Sequence, residues 1–351
     1  MTTHQSHPIG SGKALFVQDG TLFFSRELEV LSLPADNPGE VPISHGTLPF
    51  PLLAAPRFSN RLVDRLTRRE VKAFHAFSGG ELIGSTRYGL FFKARNTGWL
   101  PSAIRSPSGG PFALPLRLHG KPDGEVVFGE YCSNPERRPI SVYRSVDFGR
   151  SFHPAYTFPE GDVRHIHNLI PKADGKGYWV LTGDFEHEPG IGSLDVETGM
   201  FQWIARGAQH YRAVHVFEEP GGLLYGTDTE LEGNSIGMLD VESGDYTSLA
   251  PLPGSCLYGH QLADFRVLST TVEPSRVNRS SSAEIWSSGK GLPWSCIRKG
   301  QKDPFPGKYF QYGSWVLPGG SSSSNRLFYS GKALVGADAQ LFYLDLIPEA
   351  L

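Results

Sequence analysis

The sequence predicts an all-β protein built as a single β-propeller, which we expect to have seven blades of three to four antiparallel strands each. Three observations lead to this prediction. Turn-forming residues are frequent, with Gly 41 and Pro 27 among 351 residues, and they are spread along the chain instead of being gathered in a linker. Short apolar strands recur at intervals of roughly 40 to 50 residues. Most of the recurring strands end in a polar cluster.

The repeat is carried by apolar segments that follow Gly or Asp turns, and we interpret each one as the second strand of a blade. In chain order they are GTLFFSREL (20–28), GELIGSTRYGLFF (80–92), GEVVFGEY (124–131), GYWVLTGDFE (177–186), GLLYGTDTE (222–230), FRVLSTTVEP (265–274) and NRLFYSGKAL (325–334). A first strand is predicted before each of them, at ALFV, VKAFHAF, FALPLRL, VRHIHNLI, YRAVHVF, YGHQLA and YGSWVL. Third strands are predicted at ISVYRSVD, GIGSLDV, SIGMLDV, AEIWSS and QLFYLDL.

The polar ends of the second strands distinguish a propeller from a pair of β-sandwiches. These ends read REL, TRY, GEY, TGD, GTDTE and TVEP. In a propeller, corresponding strand ends lie at the same level of successive blades, so we expect their side chains to gather around one rim. A propeller also removes exposed sheet edges by closing the ring of blades.

Two segments lie outside the regular repeat. We expect residues 1–12 to be disordered or extended, and residues 13–351 to form the propeller domain. Segment 48–70, LPFPLLAAPRFSNRLVDRLTRRE, has apolar residues near a helical spacing with basic residues around them, so we predict a short helix or an elaborated loop there, before the second blade.

Charge and composition exclude several classes of function. The 33 basic and 36 acidic residues give a formal net charge of −3, so there is no basic field for nucleic acid and no polybasic block for a membrane surface. No apolar run approaches the roughly 20 residues needed to span a bilayer, and we expect a cytoplasmic location. Cys132, Cys256 and Cys296 are widely separated, which predicts free thiols in a reducing compartment.

The most specific motif is SVDFGRSF, from Ser145 to Phe152. We expect Asp147 to bind backbone amides of a turn between the third and fourth strands, Gly149 to supply a positive φ, and Phe152 to anchor the hairpin. The motif matches Ser-x-Asp-x-Gly-x-Ser/Thr-Trp/Phe, and the chain resembles the Asp-box, or BNR-repeat, sialidase-like propeller proteins, a glycosidase-like superfamily. LDVETGMF (194–201) and LDVESGDY (239–246) resemble degenerate copies.

The resemblance implies an all-β propeller fold and a carbohydrate ligand, while the boxes themselves lie away from the active site in that superfamily. A true sialidase would carry an Arg-Ile-Pro motif near the N-terminus, where this chain has SHPIGSGK, and it would have six blades and repeated full Asp-boxes. The match to sialidases is therefore limited to the superfamily.

The candidate site residues are those expected on the shared rim. His165 and His167 are two apart on one predicted strand and so share a face, and the next blade offers HYRAVHVF in a corresponding position. We predict catalytic roles for His165, His167, Tyr211, Asp184 and Glu273. We predict substrate-binding roles for Arg164, Arg212, Asp228, His260, Glu130, Arg87 and Tyr312.

Arg, His, Tyr and carboxylate groups together suit an anionic saccharide, because arginine binds carboxylates in bidentate fashion and His or Tyr moves protons. We expect an enzyme that acts on an acidic or surface polysaccharide by hydrolysis or β-elimination. The alternatives are a saccharide-binding protein of polysaccharide biosynthesis without turnover and a protein-interaction scaffold. For any single one of these histidines the alternative is a structural polar group of the channel, so the prediction rests on the cluster and not on its members.

We expect no cofactor, although a divalent metal is an alternative, with His165, His167, His215 and His260 as its imidazole ligands. The expected partner is a saccharide, and we expect a monomer or a homodimer. Carboxylate pairs such as those on the rim are equally able to orient Arg164 and Arg212 as a structural ion network.

Overall fold

Antiparallel meanders of four strands make up the fold, which is the blade arrangement of β-propellers. The computed structural model describes residues 5–51, 60–105, 113–289 and 291–348. Strands account for 50% of the chain and helices for 4%, which confirms the predicted all-β propeller class. Within the described residues, no helix is long and apolar enough to cross a membrane.

The chain forms two compact units. Unit 1 contains the described residues up to Val71, Thr86–Tyr88, and those from Pro253 onward. Unit 2 contains Lys72–Ser85 and Gly89–Leu252.

Unit 1 begins with β1 and a four-stranded meander, and ends its first part with a helix. The strands are β1 (His7–Ser11), β2 (Lys13–Gln18), β3 (Thr21–Arg26), β4 (Glu29–Pro34) and β5 (Ile43–Thr47). Helix α1 (Arg61–Thr67) is capped by Asn60, whose side chain accepts a hydrogen bond from the Val63 amide at 3.0 Å. It lies in the segment 48–70 for which a short helix or elaborated loop is predicted. Residues 1–4 and 52–59 of the two predicted irregular segments lie outside the described residues.

Unit 2 consists of four successive meanders. The first is β6 (Phe74–Ala76), β7 (Leu82–Ser85), β8 (Leu90–Lys93) and β9 (Leu100–Pro101). The second is β11 (His119–Gly120), β12 (Val126–Gly129), β13 (Ile140–Ser145) and β14 (Ser151–Phe158), with the short β10 (Ala103–Ile104) parallel to β14. The third is β15 (His165–Pro171), β16 (Tyr178–Gly183), β17 (Gly190–Leu194) and β18 (Phe201–Arg206). The fourth is β19 (Phe217–Glu219), β20 (Gly222–Gly226), β21 (Ser235–Asp240) and β22 (Tyr246–Pro251).

The rest of unit 1 contains two further meanders that share one eight-stranded sheet. Besides β1, the strands of this sheet are β23 (Cys256–Gln261), β24 (Phe265–Val272), β25 (Ser282–Gly289), β26 (Ser295–Gln301), β27 (Gly313–Val316), β29 (Arg326–Lys332) and β30 (Gln340–Asp345). Helix α2 (Gly307–Phe310) lies between β26 and β27 in the chain, and the short β28 (Gly319–Gly320) pairs with β2. The last meander takes its outer strand from the start of the chain, because β1 pairs with β30. In sequence order the strands fall into sets of four, but hydrogen bonds join them into six sheets, so the count of seven blades stays a prediction.

The apolar core of unit 2 lies between consecutive meanders. One cluster joins Val127 and Val142 of the second meander to Ile166 and Val180 of the third, all of them at most 1% exposed. A second cluster packs Leu181 of the third meander against Tyr225 of the fourth. The sheet of the third meander is thus apolar on both faces.

Three predicted strands differ from the observed ones. Of FALPLRL (112–118), the described residues contribute only an isolated bridge between Pro115 and Glu130, and the first strand of that meander is β11. The segment 80–92 is divided into β7 and β8 by a turn, and YRAVHVF contributes only β19 and an isolated bridge between Ala213 and Thr227. The carbonyl groups of Ala213 and Val214 accept side-chain hydrogen bonds from His167 and Asn168 of the third meander, at 3.1 and 2.8 Å. Those bonds replace the strand ladder that the apolar pattern predicts.

The SVDFGRSF segment forms the turn between β13 and β14. Asp147 accepts hydrogen bonds from the Ser145 hydroxyl at 2.7 Å and from the amide and hydroxyl of Ser151 at 2.9 and 2.6 Å. Gly149 has a φ of +81°, and a Cβ there would lie 2.3 Å from Cδ1 of Ile83. The corresponding turns after β17 and β21 are held by Asp195 and Asp240, each through Oδ1.

We expect Asp147→Ala to lower the free energy of unfolding by about 2 kcal/mol at neutral pH, because the turn loses its hydrogen-bond acceptor. Partial burial alone would raise the pKa of Asp147, but the hydrogen bonds from Ser151 and Ser145 hold it below its usual value. Such a carboxylate stabilises the fold above its unfolded-state pKa, and the contribution is lost as the pH falls through its folded-state pKa. The difference between the native protein and the variant should therefore shrink in acid.

Urea unfolding at several pH values measures this difference. Glu160→Ala is the matched control, because Glu160 is exposed, and it should change the free energy of unfolding by less than about 0.5 kcal/mol. Equal effects of the two substitutions would contradict the role assigned to Asp147.

Candidate functional site

Five polar residues of unit 2 converge at the ends of its strands, and we call them the Asp184 cluster: Arg164, His165, His167, Asp184 and Arg212. Arg164 directly precedes β15, and both histidines lie on that strand. Asp184 directly follows β16, the neighbouring strand of the same meander. Arg212 follows a short 3-10 turn, Gln209–Tyr211, that precedes the fourth meander.

A β-bulge turns His167 into the cluster. His165 pairs with Gly183 and Ile166 with Thr182, but the register then shifts so that Asn168 pairs with Leu181. The extra residue of the bulge is His167, and bulges commonly redirect a side chain in this way. Ile166, between the histidines, points into the apolar core and is 1% exposed. The strand thus keeps its core contact while placing both imidazoles on one side.

Main-chain carbonyl groups fix the orientation of both imidazole rings. Nδ1 of His165 lies 2.9 Å from the carbonyl oxygen of Cys132, and Nδ1 of His167 lies 3.1 Å from that of Ala213. A carbonyl oxygen only accepts hydrogen bonds, so each Nδ1 carries the proton. In the neutral rings the lone pair is therefore on Nε2. Both Nε2 atoms face the cluster.

The donor atoms of the three central residues are close together. Nε2 of His165 and Nε2 of His167 lie 3.2 Å apart. They lie 3.4 and 3.2 Å from Oδ1 of Asp184. His165 and His167 are 5% and 3% exposed, so the three atoms meet in a largely dehydrated place. Among the described residues, these three form a group of His and Asp donors that could coordinate a metal ion.

The two arginines of the cluster differ in how far their donors are used. Arg212 is 9% exposed and lies between two carboxylates, with NH2 3.0 Å from Oδ1 of Asp184 and Nε 3.5 Å from Oδ2 of Asp228. Arg164 approaches Asp184 only at 3.8 Å, from NH1 to Oδ2. Its Nε is buried and has no hydrogen-bond partner within the described part of the chain. Arg212 therefore braces Asp184, while Arg164 makes no hydrogen bond to any of the described residues.

Asp184 stays ionised in this setting. Burial alone would raise its pKa, but the imidazoles of His165 and His167, which donate to Oδ1 through Nε2 when they are protonated, hold the pKa well below its usual range. A carboxyl group in this state does not donate a proton at neutral pH. Its role is that of an anion that orients the surrounding cations and imidazoles.

The main chain at Asp184 is held by Glu188, a residue that the sequence pattern did not single out. Its Oε2 accepts hydrogen bonds from the amides of Asp184 and Phe185 at 2.9 and 3.1 Å, and its Oε1 accepts one from Arg137. The side chain of Glu188 is 1% exposed. The loop after β16 therefore rests on the buried carboxylate of Glu188, which fixes where Asp184 points.

Gly183 allows the cluster to pack closely. A Cβ on Gly183 would lie 2.5 Å from Cε1 of His167 and 3.2 Å from Cγ of Arg212. Real Cβ contacts are not this short, so a larger residue would displace the imidazole or the arginine. The only sign of this in the sequence is that Gly precedes an acidic residue at the end of the second strand, as in GEY and TGD.

Two aromatic rings flank the cluster, and neither was predicted. Tyr131 is 39% exposed, and its ring centroid lies 4.4 Å from that of His165. The guanidinium carbon of Arg164 lies 5.7 Å from the ring centroid of Phe185. Both residues directly follow a predicted rim carboxylate, Glu130 or Asp184, and that adjacency was the available signal.

Other predicted residues of unit 2 have structural contacts. Both carboxylate oxygens of Glu130 accept main-chain hydrogen bonds, from Ala113 at 2.9 Å and Ser141 at 2.7 Å, while burial raises its pKa. The Tyr211 hydroxyl donates to the carbonyl of Gly244 at 2.9 Å, away from Asp184. Asp228 is 4% exposed and pairs with Arg212, and the His215 ring packs against Phe217 at 4.7 Å.

The remaining predicted residues belong to unit 1. His260 is 1% exposed, its Nδ1 lies 3.1 Å from the carbonyl oxygen of Pro318, and burial lowers its pKa to about 4. Arg87 is exposed and donates to the carbonyl of Thr67 at 3.1 Å. The Glu273 amide donates to the carbonyl of Thr271 at 3.1 Å, and Tyr312 is 36% exposed. The predicted four-histidine metal site is replaced by His165 and His167 with Asp184.

Comparison with solved structures shows the propeller fold. Virginiamycin B lyase from Staphylococcus aureus is 12% identical, with 98% of this chain and 99% of that chain covered and a TM-score of 0.57. YCF48 bound to D1 peptide is 10% identical, with 99% and 98% covered and a TM-score of 0.55. An ancestral GH74 enzyme is 11% identical, with 99% of this chain and 49% of that chain covered and a TM-score of 0.53.

At these identities the likeness shows the fold alone, and the narrower resemblance to Asp-box proteins stays a prediction. No protein-family model matches the chain, and no curated protein matches it by sequence. The structural neighbours include both enzymes and a peptide-bound protein, so the chemistry has to be argued from the Asp184 cluster itself.

We expect Glu188→Ala to destabilise the protein by about 3 kcal/mol, because it leaves Arg137 without its buried partner and frees the amides that place Asp184. The matched control is Glu186→Ala. Glu186 pairs with the same arginine at 3.1 Å, but its side chain is 68% exposed. An exposed pair of this kind contributes about 0 to 1 kcal/mol. Chemical denaturation of the two variants in parallel measures the difference, and equal losses would contradict the assigned role of Glu188.

Proposed function

We propose that the protein is a propeller enzyme that binds an anionic saccharide at the Asp184 cluster and cleaves it by β-elimination. The observation that carries the proposal is the pairing of two kinds of group at one place. Arg164 has donors that no described residue uses, and beside it lie two imidazole Nε2 atoms whose lone pairs are directed into the cluster. A carboxylate-binding cation next to a nitrogen base is what this elimination requires.

The position of Arg164 favours an anion with an exposed carboxylate. Arg164 and Arg212 balance Asp184 and Asp228, so the four ionised groups sum to zero when the histidines are neutral. Because Arg212 lies between the two carboxylates, Arg164 is the arginine that can form a bidentate pair with a uronate. The exposed ring of Tyr131 offers a flat apolar face beside it, on which a sugar ring can stack.

The state of the carboxyl groups favours elimination over hydrolysis. Glycoside hydrolysis with two carboxyl groups needs one of them protonated as an acid. The pKa of Asp184 lies well below its usual range, and Asp228 pairs with Arg212. Glu130 has a raised pKa, but main-chain amides occupy both of its oxygens. None of these three carboxyl groups is therefore suited to be the acid.

In the proposed reaction, Arg164 neutralises the uronate carboxylate and so acidifies the hydrogen on the adjacent carbon. A base in the cluster accepts that hydrogen as a proton, and the electron pair left behind forms a carbon–carbon double bond. The glycosidic C–O bond breaks at the same time, and the leaving oxygen takes up a proton. The products are an unsaturated uronate and a shortened saccharide, with no net oxidation.

Tyr211 has no part in this scheme, although the sequence pattern predicts it as acid or base, because its hydroxyl is bonded to Gly244. Arg212 is a positioning residue that acts through Asp184. The lyase among the structural neighbours supports the proposal only in showing that the propeller fold hosts an enzyme of that name.

We expect Arg164→Ala to lower kcat/KM on uronate oligosaccharides by roughly 10²- to 10³-fold, because the carboxylate loses its neutralising cation. The assay supplies galacturonate, glucuronate and guluronate oligosaccharides, with neutral glucose and mannose oligosaccharides as negative substrates. Ultraviolet absorbance of the unsaturated product is followed together with new reducing ends.

Arg138→Ala is the matched control for that substitution, because Arg138 is 73% exposed and also belongs to unit 2, and it should retain full activity. Reducing ends without the absorbance change would replace elimination by hydrolysis. Binding of uronates, seen as a rise in melting temperature, without turnover of any of them would make the protein a saccharide-binding module. Full activity of Arg164→Ala would rule out the Asp184 cluster as the site.

A further inference from the structure

We propose that His165, His167 and Asp184 bind one divalent transition-metal ion, through Nε2 of each histidine and Oδ1 of the aspartate. This inference deepens the proposed function, and it rests on that function only for the identity of the substrate. The ion-binding geometry is a property of the chain itself, so it can be tested with the metal alone.

The spacing of the three donor atoms fits such an ion. Imidazole nitrogen and carboxylate oxygen bind zinc at about 2.0 to 2.2 Å. Two ligands at about 2.1 Å from one ion lie roughly 3.0 Å apart in octahedral geometry and roughly 3.4 Å apart in tetrahedral geometry. The three separations here are 3.2, 3.2 and 3.4 Å. The side chains therefore already stand where the first coordination shell would place them.

The outer contacts of the histidines are those of metal ligands. A ligating histidine commonly donates its other ring N–H to a carbonyl or carboxylate, which fixes the tautomer and aims the lone pair at the ion. His165 and His167 do so through Nδ1, to Cys132 and Ala213, on the segments that precede and follow their own meander. Asp184 is held in a similar way, because Arg212 pairs with its carboxylate and Glu188 accepts a hydrogen bond from its main-chain amide.

Without a cation, this arrangement is electrostatically unfavourable. Two lone pairs and a carboxylate oxygen would face one another at contact distance in a site that is at most 5% exposed at the histidines. A bound ion turns these repulsions into coordinate bonds. The competing explanation is a proton shared between the imidazoles, which would make the cluster a purely structural ion network.

The donor set selects among metals. Two imidazole nitrogens and one carboxylate suit Zn²⁺, Mn²⁺, Fe²⁺ or Co²⁺, whereas Ca²⁺ and Mg²⁺ prefer oxygen ligands alone. Three protein ligands leave at least one coordination position open, which is the pattern of catalytic and not of closed structural sites. The Asp184 cluster and Asp228 together sum to zero when the histidines are neutral, so an added ion of charge +2 leaves an excess that an anionic substrate balances.

A bound ion would change which group accepts the proton in the proposed elimination. Both Nε2 lone pairs would become ligands, and a hydroxide at the open position would accept the proton from the carbon next to the carboxylate, becoming a bound water. Arg164 would keep its place beside the uronate. The acid–base role that the sequence pattern predicts for the imidazoles would then pass to the metal-bound solvent that they hold.

The test measures metal binding directly. The full-length protein is treated with chelator, dialysed, and titrated with Zn²⁺, Mn²⁺ and Co²⁺ by calorimetry, with the bound metal counted by elemental analysis. We expect one ion per chain and, with Co²⁺, visible absorption bands of a nitrogen- and oxygen-ligated ion. Substituting an outer-shell partner typically costs 10- to 100-fold in affinity, so loss of a direct ligand in His167→Ala or Asp184→Asn should cost at least about 100-fold.

His153→Ala is the matched control, because His153 is exposed on β14 in the same unit, and its titration should match that of the native protein. Each variant is checked by its melting temperature and circular dichroism, and the Co²⁺ spectrum of the unsubstituted protein gives a reading that needs no variant. The metal site is overturned if no ion binds the native protein, or if His167→Ala and Asp184→Asn bind as tightly as the control.

The outcomes separate the two proposals. Stoichiometric binding lost in both ligand variants, without elimination activity, would uphold the metal site and reject the lyase. Elimination that is unchanged after complete removal of metal would uphold the lyase and reject a role of the ion in the reaction, while the titration alone decides whether the ion binds.

Discussion

The site depends on the buried carboxylate of Asp184, which is surrounded by cationic and imidazole groups. Asp184 attracts two arginines and two imidazoles, and its low pKa reflects the histidine contacts that outweigh the cost of burial. Removing a buried anion from such a set would leave several unmatched donors close together, which is far costlier than the pair energy suggests. The position of Asp184 therefore determines how the other residues of the cluster are arranged. Glu188 fixes that position by accepting a hydrogen bond from the main-chain amide of Asp184.

Side chains that bond to the main chain of a neighbouring meander link the fold to the site. His165 bonds backward to Cys132, while His167 and Asn168 bond forward to Ala213 and Val214. These bonds satisfy carbonyl groups that no strand ladder uses, and they fix the imidazole rings at the same time. One set of contacts thus holds consecutive sheets together and orients the reactive atoms, so stability and preorganisation have a common origin.

The sequence made the fold class and part of the site predictable, for different physical reasons. Strand recurrence and turn residues indicate the all-β propeller, because period and turn chemistry are local properties. The two-residue spacing of His165 and His167 correctly places them on one side. It does not reveal the bulge, the 3-10 turn before Arg212, or the contact of Tyr211 with Gly244, because these arise from bonds between segments far apart in the chain. The roles of the cluster residues stay predictions.

The pairing of β1 with β30 constrains the order of events during synthesis. This contact joins residue 7 to residue 343, so β1 has no partner until β30 has been synthesised. The entropic cost of closing so long a loop delays this step relative to local hairpins. Until then, β30 and its sheet would present an open edge to other chains. The nascent protein therefore passes through a late stage in which it is open to aggregation, and a tag or fusion near β1 would prolong that stage.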